Sequence, residues 1–148
     1  MNNLLFNPSC CETINHSKIK LEENNIKVIF DNISNEDFIK IKIDGCEITD
    51  NNIKKADYLL QKQQVGQIII ELKGQDISRA VAQIESTIPY VKARSDLKIV
   101  ALIVYGKSPE YYNDKVKTKL VEDFRKKNKV TLDIKKSSNE NLNFDGYF

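Results

Sequence analysis

Long apolar runs are missing from this chain: nothing approaches the roughly 18 consecutive apolar residues of a membrane-spanning helix. The opening residues, Met1 to Pro8, carry neither a basic segment nor an apolar export core. The expectation is a cytoplasmic protein with no membrane partner. Charge of one sign is lacking too. Lys+Arg 23 against Asp+Glu 21 leaves +2, which neither declares nor excludes a nucleic-acid binder. Cysteine occurs three times and histidine once. Cys10 and Cys11 are adjacent, so reduced thiols are expected, with Cys11 and Cys46 as small buried apolar residues. Cys10, Cys11, His16 and Cys46 form an irregular set, unlike the regular spacing of a zinc site. His16 reads as an exposed polar residue. No zinc-finger, RNA-recognition or helix-turn-helix signature occurs, so base-specific readout has no visible carrier. Asparagine is abundant but scattered, with no repeat and no low-complexity tract.

What is present is the balance of one globular domain: 148 residues, 41% hydrophobic and 30% charged. A single domain over residues 1–148 is expected, its first 24 or so residues and its tail from about 137 being the least patterned. Asn7-Pro8-Ser9 introduces a short helix from Cys10 to about Lys20. Alternation then takes over. Ile26, Val28 and Phe30 point one way, and Phe38-Ile39-Lys40-Ile41-Lys42-Ile43 alternates apolar with basic, which suggests two antiparallel strands. Ala56 to Leu60 is a further short strand, followed by a turn through Gln61 to Gly66. Ile68-Ile69-Ile70 sits in a strand, Gln67 to Lys73, without alternation, as a strand covered on both faces would. Asp76 caps a helix whose apolar positions Ile77, Ala80, Val81, Ile84, Ile88 and Val91 step by three and four. A second unbroken strand runs from Leu97 to Tyr105, a helix from about Asp114 to Lys127, and a last strand from Val130 to Ile134. Phe144, Tyr147 and Phe148 dock the tail. An antiparallel meander followed by strand, helix, strand requires a parallel crossover, so the expected fold class is α/β, a mixed sheet flanked by helices.

Asp57 and Glu71 fall on neighbouring strands joined by a short turn, so hairpin pairing brings two carboxylates toward one ion. Lys73 lies two residues beyond Glu71 and shares its face, while Leu72 points into core. Divalent metals take hard oxygen ligands, and two carboxylates beside an ammonium outline a phosphodiesterase site. With 21 acids and about 20 lysines, roughly three acid-x-Lys triplets arise by chance, as many as occur. Asp96-Leu97-Lys98 opens a strand and Asp133-Ile134-Lys135 closes the last one. Only Glu71-Leu72-Lys73 ends a central apolar strand, has an acid on the strand before it and a helix soon after.

Asp57, thirteen intervening residues and then Glu71-Leu72-Lys73 resemble the motif of the PD-(D/E)xK phosphodiesterases, the restriction endonuclease-like and Holliday-junction resolvase-like superfamily. Ala56 stands where the motif has proline. The resemblance spans about residues 10 to 106 and implies an αβββαβ core. It implies Mg²⁺ or Mn²⁺ held by Asp57, Glu71 and the Leu72 carbonyl, with Lys73 serving the attacking water. It further implies an assisting Gln83 on the following helix, and a first-helix glutamate as an extra metal ligand, for which Glu12 is the candidate with Glu22 and Glu23 behind it.

Residues 115 to 136 hold nine basic side chains against three acidic ones, a local +6 that leaves about −4 for the rest. That asymmetry suits a surface tracking a nucleic-acid backbone, expected to be DNA, over Lys115 to Lys136. Tyr90, Tyr105, Tyr111 and Tyr112 are candidates to stack on bases. A metal-dependent nuclease, working as a homodimer or with a protein partner, is the leading expectation. The alternative is an inactive nuclease-fold module that binds protein or nucleic acid.

Overall fold

The computed structural model describes residues 5–148; the first four positions of the expected domain lie outside the described residues. Nine strands and two α-helices follow in the order β1 (Cys11–Ile14), β2 (Lys18–Glu23), β3 (Ile26–Asp31), β4 (Phe38–Lys42), β5 (Tyr58–Lys62), β6 (Gly66–Lys73), α1 (Ile77–Lys92), β7 (Ile99–Tyr105), α2 (Asp114–Asn128), β8 (Thr131–Lys136) and β9 (Asn141–Leu142). Six strands make one mixed sheet, β1-β4-β5-β6-β7-β8, and β2-β3-β9 make a second. The fold is mixed α/β, as expected.

Three layers result. Leu59, Ile69, Ala101 and Ile103 on one face of the large sheet pack against Ile77, Ala80 and Ile84 of α1 and Phe124 of α2. The intervening residues Leu60, Ile68, Ile70 and Leu102 face the small sheet through Ile19, Leu21, Val28 and Phe30. Both helices therefore cover one face and the small sheet covers the other. This double cover is why the unbroken Ile68-Ile69-Ile70 run is stable as a strand. Phe144 docks the tail edge-on against Phe30 and Phe38, at 5.8 and 5.1 Å between ring centres.

α1 starts at the cap expected of it, Asp76, and α2 starts at Asn113. Asp76 accepts from the Arg79 N–H and Asn113 from the Val116 N–H, each satisfying an amide that the first turn leaves free. α2 ends on Lys129, a left-handed residue at φ 57°.

Three expectations are corrected. The helix proposed from Cys10 to Lys20 is a short 3-10 turn, Pro8–Cys10, followed by β1 and β2. In β2, Lys18, Lys20 and Glu22 are exposed while Ile19 and Leu21 are buried, a period of two that fits a half-covered strand. β3 and β4, read as a pair, belong to different sheets: β3 pairs with β2 and β9, β4 with β1 and β5. Finally, Cys10 and Cys46 form a disulfide, their Cα atoms 5.7 Å apart, tying the segment before β1 to the loop after β4. The two sulfurs thus bond each other and take no part in a zinc site. Cys11 is the free cysteine.

Candidate active site at the end of the β5–β6 hairpin

A three-residue loop, Gln63 to Val65, joins β5 to β6, with Gln64 in the left-handed region at φ 68°. It sets the antiparallel register Lys62↔Gly66 through Tyr58↔Ile70. One step further places Asp57 opposite Glu71. Both side chains emerge on the α1 face, the face of Leu59 and Ile69.

The two carboxylates interlock with the backbone. The Asp57 N–H donates to Glu71 Oε1 at 3.1 Å, and the Leu72 N–H donates to Asp57 Oδ2 at 2.9 Å. The Asp57 carbonyl accepts from Ile43 N–H at 3.0 Å, pinning this corner to the end of β4. Lys73 Nζ lies 3.1 Å from Glu71 Oε2. Glu71 is 1% exposed, Asp57 and Lys73 half-buried. Leu72 points the other way, into the core beneath the small sheet.

Burial raises the Glu71 carboxyl to about 8, and the Asp57 charge adds to the rise; Lys73 and the Asp57 N–H oppose it. Asp57 is also shifted upward, chiefly by burial. The Leu72 N–H lowers it, and the Glu23 and Asp44 carboxylates raise it. Asp44 escaped the sequence reading, and Glu23 stood there only behind Glu12 as a candidate for the extra ligand. Glu23 closes β2 in the other sheet, and Asp44 follows β4, so nothing local links either to Asp57. Glu23 meets Lys42 of β4 at 3.3 Å and, at 3.2 Å, the hydroxyl of Tyr58, the residue after Asp57.

Gln83 sits on α1 beside the segment that enters β5. Its Nε2 donates to the Lys55 carbonyl at 3.1 Å, while its Oε1 is buried without a partner. One turn later, Thr87 Oγ1 accepts from the buried Ala56 N–H and donates to the Gln83 carbonyl, both at 2.8 Å. Gln83 and Thr87 thus hold the two residues preceding Asp57. The absence of proline at Ala56 matters here, because proline would have no N–H for Thr87.

Glu12 does not join the site in the expected manner. It lies on edge strand β1, exposed, with Lys40 Nζ at 3.5 Å. Register aligns Glu12 with Lys40, Leu60 and Ile68. That is three strand spacings across and three residues along from Glu71, or on the order of 18 Å. No group of three or more His, Cys, Asp or Glu side chains converges as a metal site among the described residues. The donor set is therefore two carboxylates, with the adjacent Leu72 carbonyl and water to complete a shell. Hard oxygens suit Mg²⁺ or Mn²⁺. The buried like-charge pair, costly enough to push Glu71 to about 8, is what a divalent ion between them would relieve. The set fits such an ion once Lys73 releases Glu71 Oε2.

The basic region holds α2 and β8. Lys115, Lys119, Arg125, Lys126 and Lys127 are exposed, while Phe124 anchors the helix. Among the tyrosines, Tyr105 and Tyr112 pack edge to face at 5.6 Å, and Tyr90 is covered by the Arg94 guanidinium at 3.5 Å. Tyr111 is half exposed. His16 is exposed in the β1–β2 turn. No described helix is long and apolar enough to cross a membrane. Compared with known proteins, the chain matches no family model, no curated protein and no solved structure.

Proposed function

We propose that this chain is a metal-dependent nuclease that hydrolyses phosphodiester bonds, with DNA as its substrate and Asp57, Glu71 and Lys73 as its catalytic residues. The observation that carries this reading is the register of the hairpin, which sets the buried Glu71 and the half-buried Asp57 opposite each other with an ammonium 3.1 Å from Glu71. It agrees with the resemblance to the PD-(D/E)xK phosphodiesterases.

A bound Mg²⁺ or Mn²⁺ would polarise the phosphate and lower the pKa of a coordinated water. Asp57 Oδ1, Glu71 and the Leu72 carbonyl would hold the ion. Lys73, freed from Glu71, would orient the attacking water and face the negative charge that grows on the phosphate. Water oxygen bonds to phosphorus and gives up a proton to solvent, the bond to the leaving sugar oxygen breaks, and that oxygen takes a proton from solvent. Gln83 and Thr87 keep the Lys55–Ala56 segment, and so Asp57, in place. A cytoplasmic setting goes with this reading.

One observation favours the alternative of an inactive binding module: Glu71 is almost completely buried and its oxygens already have partners in Lys73 and the Asp57 N–H. Cleavage of labelled single-stranded, duplex and branched DNA and of RNA, with Mg²⁺, Mn²⁺ or EDTA, decides between them. The nuclease reading expects metal-dependent cutting that Glu71→Ala and Lys73→Ala each reduce by at least about a hundredfold. It also expects Mn²⁺ at 100 times its Kd to stabilise the wild type by about 2.7 kcal/mol, a gain absent from Glu71→Ala. No cutting of any substrate together with no metal-induced stabilisation would establish the module.

A further inference from the structure

A cavity of about 350 Å³ opens at the carboxyl ends of β7 and β8, where the two sheets and α2 meet. Lys27 of β3, Lys117 of α2, and Lys135 and Lys136 of β8 line it, with Glu140 as its one acid. Lys135 has Asp133 at 3.9 Å. Lys27, Lys117 and Lys136 have no ion partner among the described residues. Ser137 fixes the shape of the rim: its N–H donates to the Tyr105 carbonyl at 2.7 Å, and its hydroxyl accepts from the Lys27 N–H at 3.1 Å.

Like charges gathered at one opening repel each other unless an anion answers them. The rest of the lining is Val28, Val104, Ile134 and Leu142, an apolar wall with Tyr105 at its edge, and the polar Ser138. Inorganic phosphate would leave that half empty. The volume lies at the lower end of the range of small-ligand sites, near 300 Å³. A phosphate joined to a flat apolar body satisfies both halves.

We propose that this cavity binds a nucleoside phosphate, its phosphate on Lys27, Lys117 and Lys136 and its base against Tyr105 and the apolar wall. The source is either a free nucleotide or one nucleotide of a strand. Register favours the strand. Lys73 of the candidate site pairs with Tyr105, and Tyr105 with Lys136, across adjacent strands. The cavity thus begins about 5 to 10 Å from Lys73, a distance a few nucleotides cover. This placement of a neighbouring nucleotide rests on the nuclease reading; the binding of a nucleoside phosphate does not.

The test is equilibrium binding, in EDTA, of 5′-AMP, adenosine and a fluorescein-labelled single-stranded DNA oligonucleotide. The wild type is compared with Lys27→Gln/Lys136→Gln and, as a charge control, Lys119→Gln/Lys126→Gln on the exposed side of α2. Expected are binding of AMP and not of adenosine, weakened about tenfold or more in Lys27→Gln/Lys136→Gln and less than twofold in the control. Competition of AMP with the oligonucleotide assigns the site to a strand; AMP binding without competition assigns it to a free nucleotide. Absence of AMP and oligonucleotide binding overturns the proposal, as do equal losses in both double variants. AMP bound through Lys27 and Lys136 by a chain that cleaves nothing would retain this cavity and remove the nuclease reading.

Discussion

Glu71 should make the protein lose stability as the solution becomes alkaline, and Glu71→Gln should remove most of that loss. In the folded chain its carboxyl is raised to about 8 from an ordinary 4.5, first by burial and then by the Asp57 charge. Unfolding exposes it to water and restores the ordinary value. A raised folded pKa means that the native state holds the proton more tightly. The stabilisation is therefore complete below about pH 4.5, declines through the window between the two values, and is gone above about pH 8. Between pH 6 and pH 9 the linkage amounts to about 2 to 3 kcal/mol, at about 1.4 kcal/mol per pKa unit. Glutamine keeps an acceptor for the Asp57 N–H and loses the ion pair with Lys73. Lys73 meets a charged Glu71 only at the higher pH, and its attraction is already contained in the value of about 8, so it adds nothing further to the difference. Urea unfolding in EDTA, of wild type and Glu71→Gln at pH 6 and pH 9, measures the difference. Glu71→Gln should gain about 2 to 3 kcal/mol on the wild type in going from the lower pH to the higher. A constant difference between the two proteins at both pH values would refute the account of Glu71 as a buried, mostly protonated acid at neutral pH. With Mn²⁺ present the sign of the metal's contribution is opposite: the ion binds the carboxylate, so its stabilisation should grow with pH and level off near 8.

Reducing the Cys10–Cys46 bond frees a chain segment of 36 residues. Loop entropy puts the loss at about 4 kcal/mol. Denaturation with and without dithiothreitol measures it, and Cys10→Ser should be insensitive to the reductant; equal midpoints for the wild type would refute the cross-link. Thr87→Val keeps the shape of the side chain and strips the acceptor from the buried Ala56 N–H. It should cost about 1 to 3 kcal/mol by urea unfolding, and a loss below about 0.5 kcal/mol would show that this bond does not hold the segment before Asp57.

Where one stretch of chain carried the whole signal, reading and structure agree. α1 shows its cap and its three-and-four spacing, α2 spans nearly the residues expected of it, and β6 and β7 show apolar runs too short for a helix of that burial. The Asp57–Glu71–Lys73 arrangement was legible for the same reason: a short loop sets hairpin register, and period two sets the face. The N-terminal region shows the opposite. Pro8 after Asn7 resembles a helix start, and the alternation in Lys18 to Glu22 is only five residues long, so the local pattern supported two answers. Packing of Ile19 and Leu21 under the large sheet settles it as β2. β3 and β4 each alternate as strands should, but alternation says which face is buried and nothing about which strand lies alongside. Glu12 followed the misread helix, and its strand carries it away from Glu71.

The sequence by itself determined the α/β class, the two helices, the central strands, and the pairing of Asp57 with Glu71, because these depend on periodicity, capping and turn length among near neighbours. Only the tertiary structure decided the split into two sheets, the Cys10–Cys46 bond, the presence of Glu23 and Asp44 around Asp57, and the lysine-lined cavity at the ends of β7 and β8. Each of these brings together residues far apart in the chain. Their meeting is settled by which apolar faces can cover one another, a property of the whole packed molecule that no single segment encodes.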